Sequence, residues 1–333
     1  MADQEIDVVS GRCRICGAST QILRLTEFNL KVCRPCYLRF YERRVRRALE
    51  NMDMVAEDDR VVLALSGGKD SAALLFALRR LQVVMGFELE ALHFHLNMGD
   101  FSDMNLAAVE ELAERAAVPL RTIRLSELGL RVQRVKGWHA CAVCGAIKRS
   151  LLNREARHMG ATVVATAHTL EDILLFTFKN LLSRKFHVPQ PVLPPSDGLA
   201  KKVKPLMYTP ERLNGTYCQL RGIPFFPHKC PEWTPHGHAL KEVFERMEEL
   251  MPSSKLQLLL SLQEALAGQE EEAPGPAAKC PRCGERTAQE YCALCRLADW
   301  FASREGAGCG RQDMPLEGND SGFAVLPIDD ISS

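Results

Sequence analysis

The stretch Val61-Val62-Leu63-Ala64-Leu65-Ser66-Gly67-Gly68-Lys69-Asp70-Ser71 decides how the rest of the chain is read. A β-branched and apolar run leads into two adjacent glycines, and an apolar-periodic segment follows to about Leu81. That is the pattern of strand, glycine loop and helix. Glycines leave backbone N–H groups accessible, and a helix N-terminus adds partial positive charge, so the turn suits anions, phosphates above all. Lys69 can neutralise phosphate oxygens, Ser66 and Ser71 can donate hydrogen bonds, and Asp70 can hold Mg2+. The loop is not a Walker A motif, which needs Gly-x-x-x-x-Gly-Lys-Ser/Thr. A plain strand-to-helix turn with serine as N-cap is the bland alternative.

Outward from this loop, strands and helices alternate. Periodicity predicts a strand over residues 89–97, a helix over 104–117 with Leu106, Val109, Leu112, Ala113 and Ala116 on one face, and a strand over 120–125. A helix starting near Cys144, a strand over 162–167 and a helix over 170–182 follow. Such alternation specifies an α/β fold, a parallel sheet covered by helices. The proline-rich residues 189–195 are expected to close that core, because proline lacks the donor a central strand needs. Further on, Leu240, Val243, Phe244, Met247, Leu250 and Met251 recur at helical spacing, and a second helix is expected over 255–267, both packing on the sheet.

The expected organisation is an N-terminal zinc module over residues 1–38, a basic helical connector over 39–58, and a nucleotide-binding domain over 59–195. Its C-terminal helical part spans 196–267, a linker 268–278, a C-terminal zinc module 279–303, and a disordered tail 304–333.

Of 333 residues, 42 are basic and 42 acidic, so the chain as a whole does not attract polyanions and any nucleic-acid surface must be local. The polar, acidic start and the lack of a run near the roughly twenty apolar residues that span a bilayer predict a soluble, cytoplasmic protein with no membrane partner. Ten of the 13 cysteines fall in five Cys-x-x-Cys pairs, which in such a chain favours metal over disulfides.

Cys13, Cys16, Cys33 and Cys36 form one four-thiol set, and Cys280, Cys283, Cys292 and Cys295 a second, with Gly284 at the knuckle. Each suits one tetrahedral Zn2+ with no open position, a structural site. Reduced buried thiols are the bland alternative. Cys141 and Cys144 lack a second pair nearby and open a helix carrying Lys148 and Arg149. Cys230, before Pro231 in a loop, is the best third thiol. Three thiolates suit a 4Fe–4S cluster with one open iron, whereas a redox pair, a persulfide carrier or inert thiols stay open as alternatives. Cys218 and Cys309 have no pair and are assigned no role.

The 66–71 loop resembles the PP-loop of N-type ATP pyrophosphatases, which split ATP between its α and β phosphates and adenylate a carbonyl oxygen. Over residues 13 to 303 the order of motifs resembles the TtuA-type tRNA 2-thiouridine synthetases: two cysteine pairs, Ser-Gly-Gly-Lys-Asp-Ser, Cys-x-x-Cys-Gly-x-x-Lys-Arg, Ala-His-x-Leu-x-Asp, Cys-Pro, and two more cysteine pairs. The resemblance implies an oxygen-sensitive iron–sulfur cluster on Cys141, Cys144 and Cys230, with Lys148 and Asp172 beside the reacting centre. It also implies sulfur delivered by a ubiquitin-like protein with a C-terminal thiocarboxylate. Relatives usually read Gly-His-Asn-Leu-Asp-Asp where this chain reads Ala167-His168-Thr169-Leu170-Glu171-Asp172. Asp172 is also an ordinary helix cap by position, and His168 either lines the nucleotide pocket or is a satisfied core histidine.

Five arginines within residues 39–47, with Phe40 and Tyr41 among them, offer an RNA surface with stacking groups. Arg121, Arg124, Arg131, Arg134, Lys136, Lys148 and Arg149 extend it toward the cysteines, or form ordinary solvated faces. The combined reading is an ATP-dependent tRNA sulfurtransferase in which a uridine C2 oxygen is adenylated and sulfur then replaces it. Its rivals are a sulfurtransferase acting on a small molecule or through a cysteine persulfide, and a non-catalytic zinc-module adaptor. A homodimer is left open.

Overall fold

The computed structural model describes residues 8–135, 137–196, 199–232, 236–267, 278–287 and 289–305. Strands β1 (Val8–Arg12), β2 (Ser19–Leu25) and β3 (Leu30–Cys33) form an antiparallel sheet in chain order. Helix α1 (Arg34–Asn51) follows, with Pro35 in its first turn, where a missing N–H is harmless. Its buried residues Tyr37, Tyr41, Val45 and Leu49 recur every four positions and turn one stripe inward.

Then come β4 (Arg60–Ala64), α2 (Lys69–Met85), β5 (Glu88–His95), α3 (Asp100–Ala116), β6 (Leu120–Arg124), α4 (Ala140–His158), β7 (Val163–Ala165), α5 (Leu170–Leu182), β8 (Val192–Leu193) and β9 (Lys201–Val203). The six strands lie in the order β6-β5-β4-β7-β9-β8, all parallel except β8. From β4 the chain steps outward to β5 and β6, then crosses to β7 on β4's other side. The order therefore reverses between β4 and β7, and the crevice beyond their C-terminal ends is where such sheets bind ligands. The loops after β4 and β7 flank it.

The remaining elements are α6 (Glu211–Arg221), α7 (His236–Leu250), α8 (Ser254–Ala265), the hairpin β10 (Ala278–Lys279) and β11 (Arg286–Thr287), and α9 (Ala293–Glu305). Leu294, Leu297 and Phe301 of α9 share a core with Val143, Ile147 and Leu151 of α4. Arg157 at the far end of α4 pairs with the buried Glu285. Among the described residues no helix is long and apolar enough to cross a membrane.

Three expectations need correction. Residues 189–195 do not close the sheet: β8 lies within them as an antiparallel outer strand, where a missing donor is tolerated, and β9 pairs with β7 beyond. Helix α4 begins at Ala140 rather than near Cys144, so both cysteines fall in its first turns. Helices α7 and α8 pack on α5, around Leu170, Ile173, Leu174, Phe244 and Leu259, rather than on the sheet. The linker and tail expected over 268–278 and 304–333 lie almost wholly outside the described residues.

Candidate active site

Between β4 and α2 the backbone turns at Gly67 with φ +88°, and a Cβ there would stand 2.2 Å from Asn105 Oδ1, so only glycine fits. Gly68 precedes α2 in extended backbone with no side-chain cap, which leaves the first N–H groups of the helix for a ligand. Ser66 is exposed. Ser71 is buried, accepts from Ser66 N at 3.2 Å and donates to Gly68 O at 3.0 Å, so it braces the loop from behind.

Lys69 Nζ lies 3.1 Å from Asp70 Oδ2 and 3.2 Å from Glu211 Oε2. The Glu211 carboxylate also takes Lys241 Nζ, which stands 2.7 Å from Asp172 Oδ1. Asp70, Lys69, Glu211, Lys241 and Asp172 thus form one ionic chain joining the two loops of the crevice. Burial pushes Glu211 upward, but the two ammonium groups outweigh it and hold the carboxyl at about 2. Burial lowers Lys69, and the charges of Asp70 and Glu211 more than reverse this.

Asp70 Oδ1 accepts from Asn214 Nδ2 at 2.8 Å, and burial raises its pKa. One oxygen thus meets an amide and the other an ammonium group, and each keeps a lone pair with which the carboxylate could hold Mg2+.

In the second loop, Thr169 accepts from Asp172 N and Asp172 Oδ2 accepts from Thr169 N at 3.1 Å, a capping box that starts α5. Asp172 is therefore a cap and an ion-pair partner together. His168 shares a hydrogen bond of 2.9 Å with Thr166 Oγ1 and sets its ring edge-on to Phe176. Burial lowers its pKa, and the Lys204 and Lys241 charges add to this against Asp172.

On α4, Cys141 is exposed and its Sγ donates to Glu232 O at 3.2 Å, while Cys144 is half-buried. Burial raises both thiols, the Cys230 charge adds to it, and Lys148, one turn on from Cys144, opposes it. Lys148 also acts on His93, whose Nδ1 meets Leu65 O at 2.9 Å just before the glycine loop. Lys148 and Asp172, paired by the resemblance, have different partners here: the Cys144 thiol and the Lys241 ammonium. The segment leading to Cys230 is tied to the glycine loop by Phe226 N donating to Gly67 O at 2.8 Å.

The terminal sets are different. In each, all four sulfurs lie within 4.8 Å of one another, whereas the three central sulfurs are not drawn together to that distance. The tight sets suit a single tetrahedral ion. Burial pushes Cys13 up, but N–H groups of Cys16, Cys33 and Ile15 outweigh it and bring the thiol to about 6. Cys280 reaches about 6 in the same way through the N–H groups of Cys292, Cys283 and Arg282.

The PP-loop domain family matches residues 39–188. The tRNA-5-methyluridine(54) 2-sulfurtransferase of Thermus thermophilus is 34% identical over 296 residues, covering 86% of this chain and 91% of that one. This chain belongs to the TtuA-type tRNA 2-sulfurtransferase family. A 27% identical relative, the cytoplasmic tRNA 2-thiolation protein 1 of Bos taurus, covers 92% of this chain and 93% of its own length. The U34-tRNA thiolase NcsA of Methanococcus maripaludis, solved with its 4Fe–4S cluster, superposes with a TM-score of 0.74 at 19% identity, over 92% of this chain and all of that one, a likeness of fold.

In this TtuA-type enzyme the 66–71 loop is thus an ATP-binding PP-loop. Its basic connector helix is less free for RNA than its composition implies. Arg44 lies 4.7 Å over the Phe28 ring and donates to Tyr208 O, Arg46 pairs with Glu50 at 2.7 Å, and Arg39 donates to Cys36 Sγ at 3.3 Å. Tyr41 is buried against Tyr217 and Phe40 packs on Phe28, so neither is a stacking platform. Arg43 and Arg47 line a groove of about 210 Å³ with Asn51 and Tyr208. Arg121 is paired with Glu155 at 3.0 Å, and Lys136 lies outside the described residues. Glu211 and Lys241 have no sequence signal: Pro210-Glu211 reads as an ordinary helix start, and Lys241 as one charge on an amphipathic helix.

Proposed function

We propose that this chain is an ATP-dependent sulfurtransferase that thiolates a uridine of tRNA at C2. The observation that carries the reading is the hydrogen bond of 2.8 Å from Phe226 N to Gly67 O, which ties the segment leading to Cys230 to the PP-loop. One backbone contact joins a thiol segment to an ATP site.

In this mechanism the open N–H groups of α2, with Lys69, hold the phosphates. The uridine C2 oxygen attacks the α phosphorus and pyrophosphate leaves. Sulfur then bonds to C2, the C2–O bond breaks, and AMP carries the oxygen away. Activation is needed because an amide-like oxygen is a poor leaving group. Cys141, Cys144 and Cys230 would hold the cluster, which when bound supplies an open iron site for sulfide. Lys148 offsets the negative charge that gathers at those thiols, and Lys241 fixes the carboxylate of Asp172 at the mouth of the crevice. The two terminal sets hold Zn2+ as structural ions. The sulfur source is a ubiquitin-like thiocarboxylate protein, and the reaction is cytoplasmic, in keeping with the name of the bovine relative.

The test is anaerobic reconstitution with iron and sulfide, then incubation with ATP, hydrosulfide and unmodified tRNA. Thiolated uridine should be found by nucleoside mass spectrometry, with AMP and pyrophosphate formed. ADP and phosphate in their place, or unaltered tRNA with turnover of ATP, would overturn the reading.

A further inference from the structure

Lys69, Lys201, Lys241 and Lys255 each sit on carboxylates. Lys202 and Lys204 do not. Burial pushes both down, and the charges acting on them are cations: Arg149 on Lys202, and Lys202 on Lys204, which reaches about 8. Lys204 Nζ donates to Gln190 O, and among the described residues no carboxylate pairs with either lysine. A folded chain that half-buries like charges together is destabilised locally unless an anion joins them.

Their position follows from the sheet register. Val62 pairs with Val164 and Val164 with Lys202, so Lys202 shares the sheet face of Val62, which packs with Val143, Ile147 and Leu151 of α4. The next strand outward places Leu193 opposite Lys202, and Leu193 is 43% exposed, so this end of the face is open. Lys204 lies two residues on, on the same face, past Val203, whose carbonyl accepts from Thr166 N at 3.0 Å in the His168 loop. Arg149 is exposed on α4, directly after Lys148. The three cations therefore line the open flank between the cysteine helix and the crevice.

We propose that Arg149, Lys202 and Lys204 form a binding site for phosphates of the RNA backbone next to the reacting nucleotide, a reading that rests on the tRNA thiolation proposed above. A chain with no net charge needs a local field to hold a polyanion, and unpaired, partly desolvated cations provide one. Backbone phosphates fix the register of an RNA without reading its sequence, which is what a site beside a single reacting base requires. The triphosphate of ATP offers the same chemistry, and the experiment separates the two sources.

The full chain, reconstituted anaerobically, is titrated with in vitro transcribed tRNA at several salt concentrations. The triple variant Arg149→Gln, Lys202→Gln, Lys204→Gln should bind about tenfold more weakly, with the slope of log K against log salt reduced by about two. ATP affinity should be unchanged and the thermal midpoint no lower, since repulsion has been removed. Lys202→Arg with Lys204→Arg should keep the wild-type slope. Wild-type affinity and slope in the triple variant would overturn the inference, as would a tenfold loss of ATP affinity with tRNA binding intact. A wild-type chain that binds no tRNA would instead sink the underlying function, and is recognised because no slope exists to lose.

Discussion

The terminal cysteine sets and the central cysteines share the Cys-x-x-Cys spelling and little else. At each terminus the pairs sit on small hairpins and helix starts whose N–H groups surround the sulfurs, and all four converge within 4.8 Å. In the centre the pair lies in the first turns of a helix, its proposed third partner, Cys230, comes from a distant loop, and burial raises both thiols of the pair against the pull of Lys148. Spacing announces that thiols will meet. The element that carries them decides whether they enclose one ion or frame an open site.

The largest expected effect tests that division directly. Cys144→Ala should abolish the anaerobic brown chromophore while leaving both terminal metal ions, as read by visible absorption and metal analysis. Loss of terminal metal in the same variant would erase the distinction. Cys280→Ser should do the opposite: it removes one terminal ion and lowers stability by about 3 kcal/mol, roughly 4 °C in thermal midpoint for a chain of this length. Because α9 covers α4, the chromophore should also bleach faster in this variant than in Cys13→Ser, a difference that anaerobic absorption decay would measure.

Glu211→Gln asks whether only the central site depends on the ionic chain. The substitution leaves two ammonium groups without their shared carboxylate, so stability should fall by about 3 kcal/mol and ATP affinity should change, with terminal metal content intact. The sign with pH follows from its depressed carboxyl. Its contribution is present above the ordinary 4.5 and lost as pH falls toward about 2. Acid titrations followed by circular dichroism should therefore differ between wild type and variant in that window.

The smallest effect is kinetic. In apo protein, Lys148→Ala removes the cation that draws the Cys144 thiol down. Its alkylation profile should move to higher pH, with a rate near pH 8 about two- to threefold lower. Equal rates would mean that Lys148 does not act on Cys144.

What the sequence revealed was local. The PP-loop is legible because strand, glycines and helix occupy one short stretch, and the terminal sets because their ligands are close in the chain. Helix α5 matched its predicted span of Leu170–Leu182, since its apolar run and Thr169 cap are contiguous. What escaped was assigned by tertiary packing. Glu211 meets Lys69 across 142 positions, and no periodicity records that. Arg44 reads as a phosphate contact until Phe28 and the Tyr208 carbonyl are found beneath it. Strand β8 hides in a proline-rich stretch because an outer strand tolerates what a central one does not.

The packing of α9 on α4 has a consequence for how the chain is made. The apolar stripe of Val143, Ile147 and Leu151 leaves the ribosome roughly 140 residues before Leu294, Leu297 and Phe301 can cover it. At ordinary synthesis rates that interval is roughly ten to thirty seconds. During it, a nascent chain presents a sticky helix to its surroundings, and a message cut short before residue 279 yields a product that never conceals it. Such a product is a natural client for chaperones and proteases, whatever the state of its PP-loop.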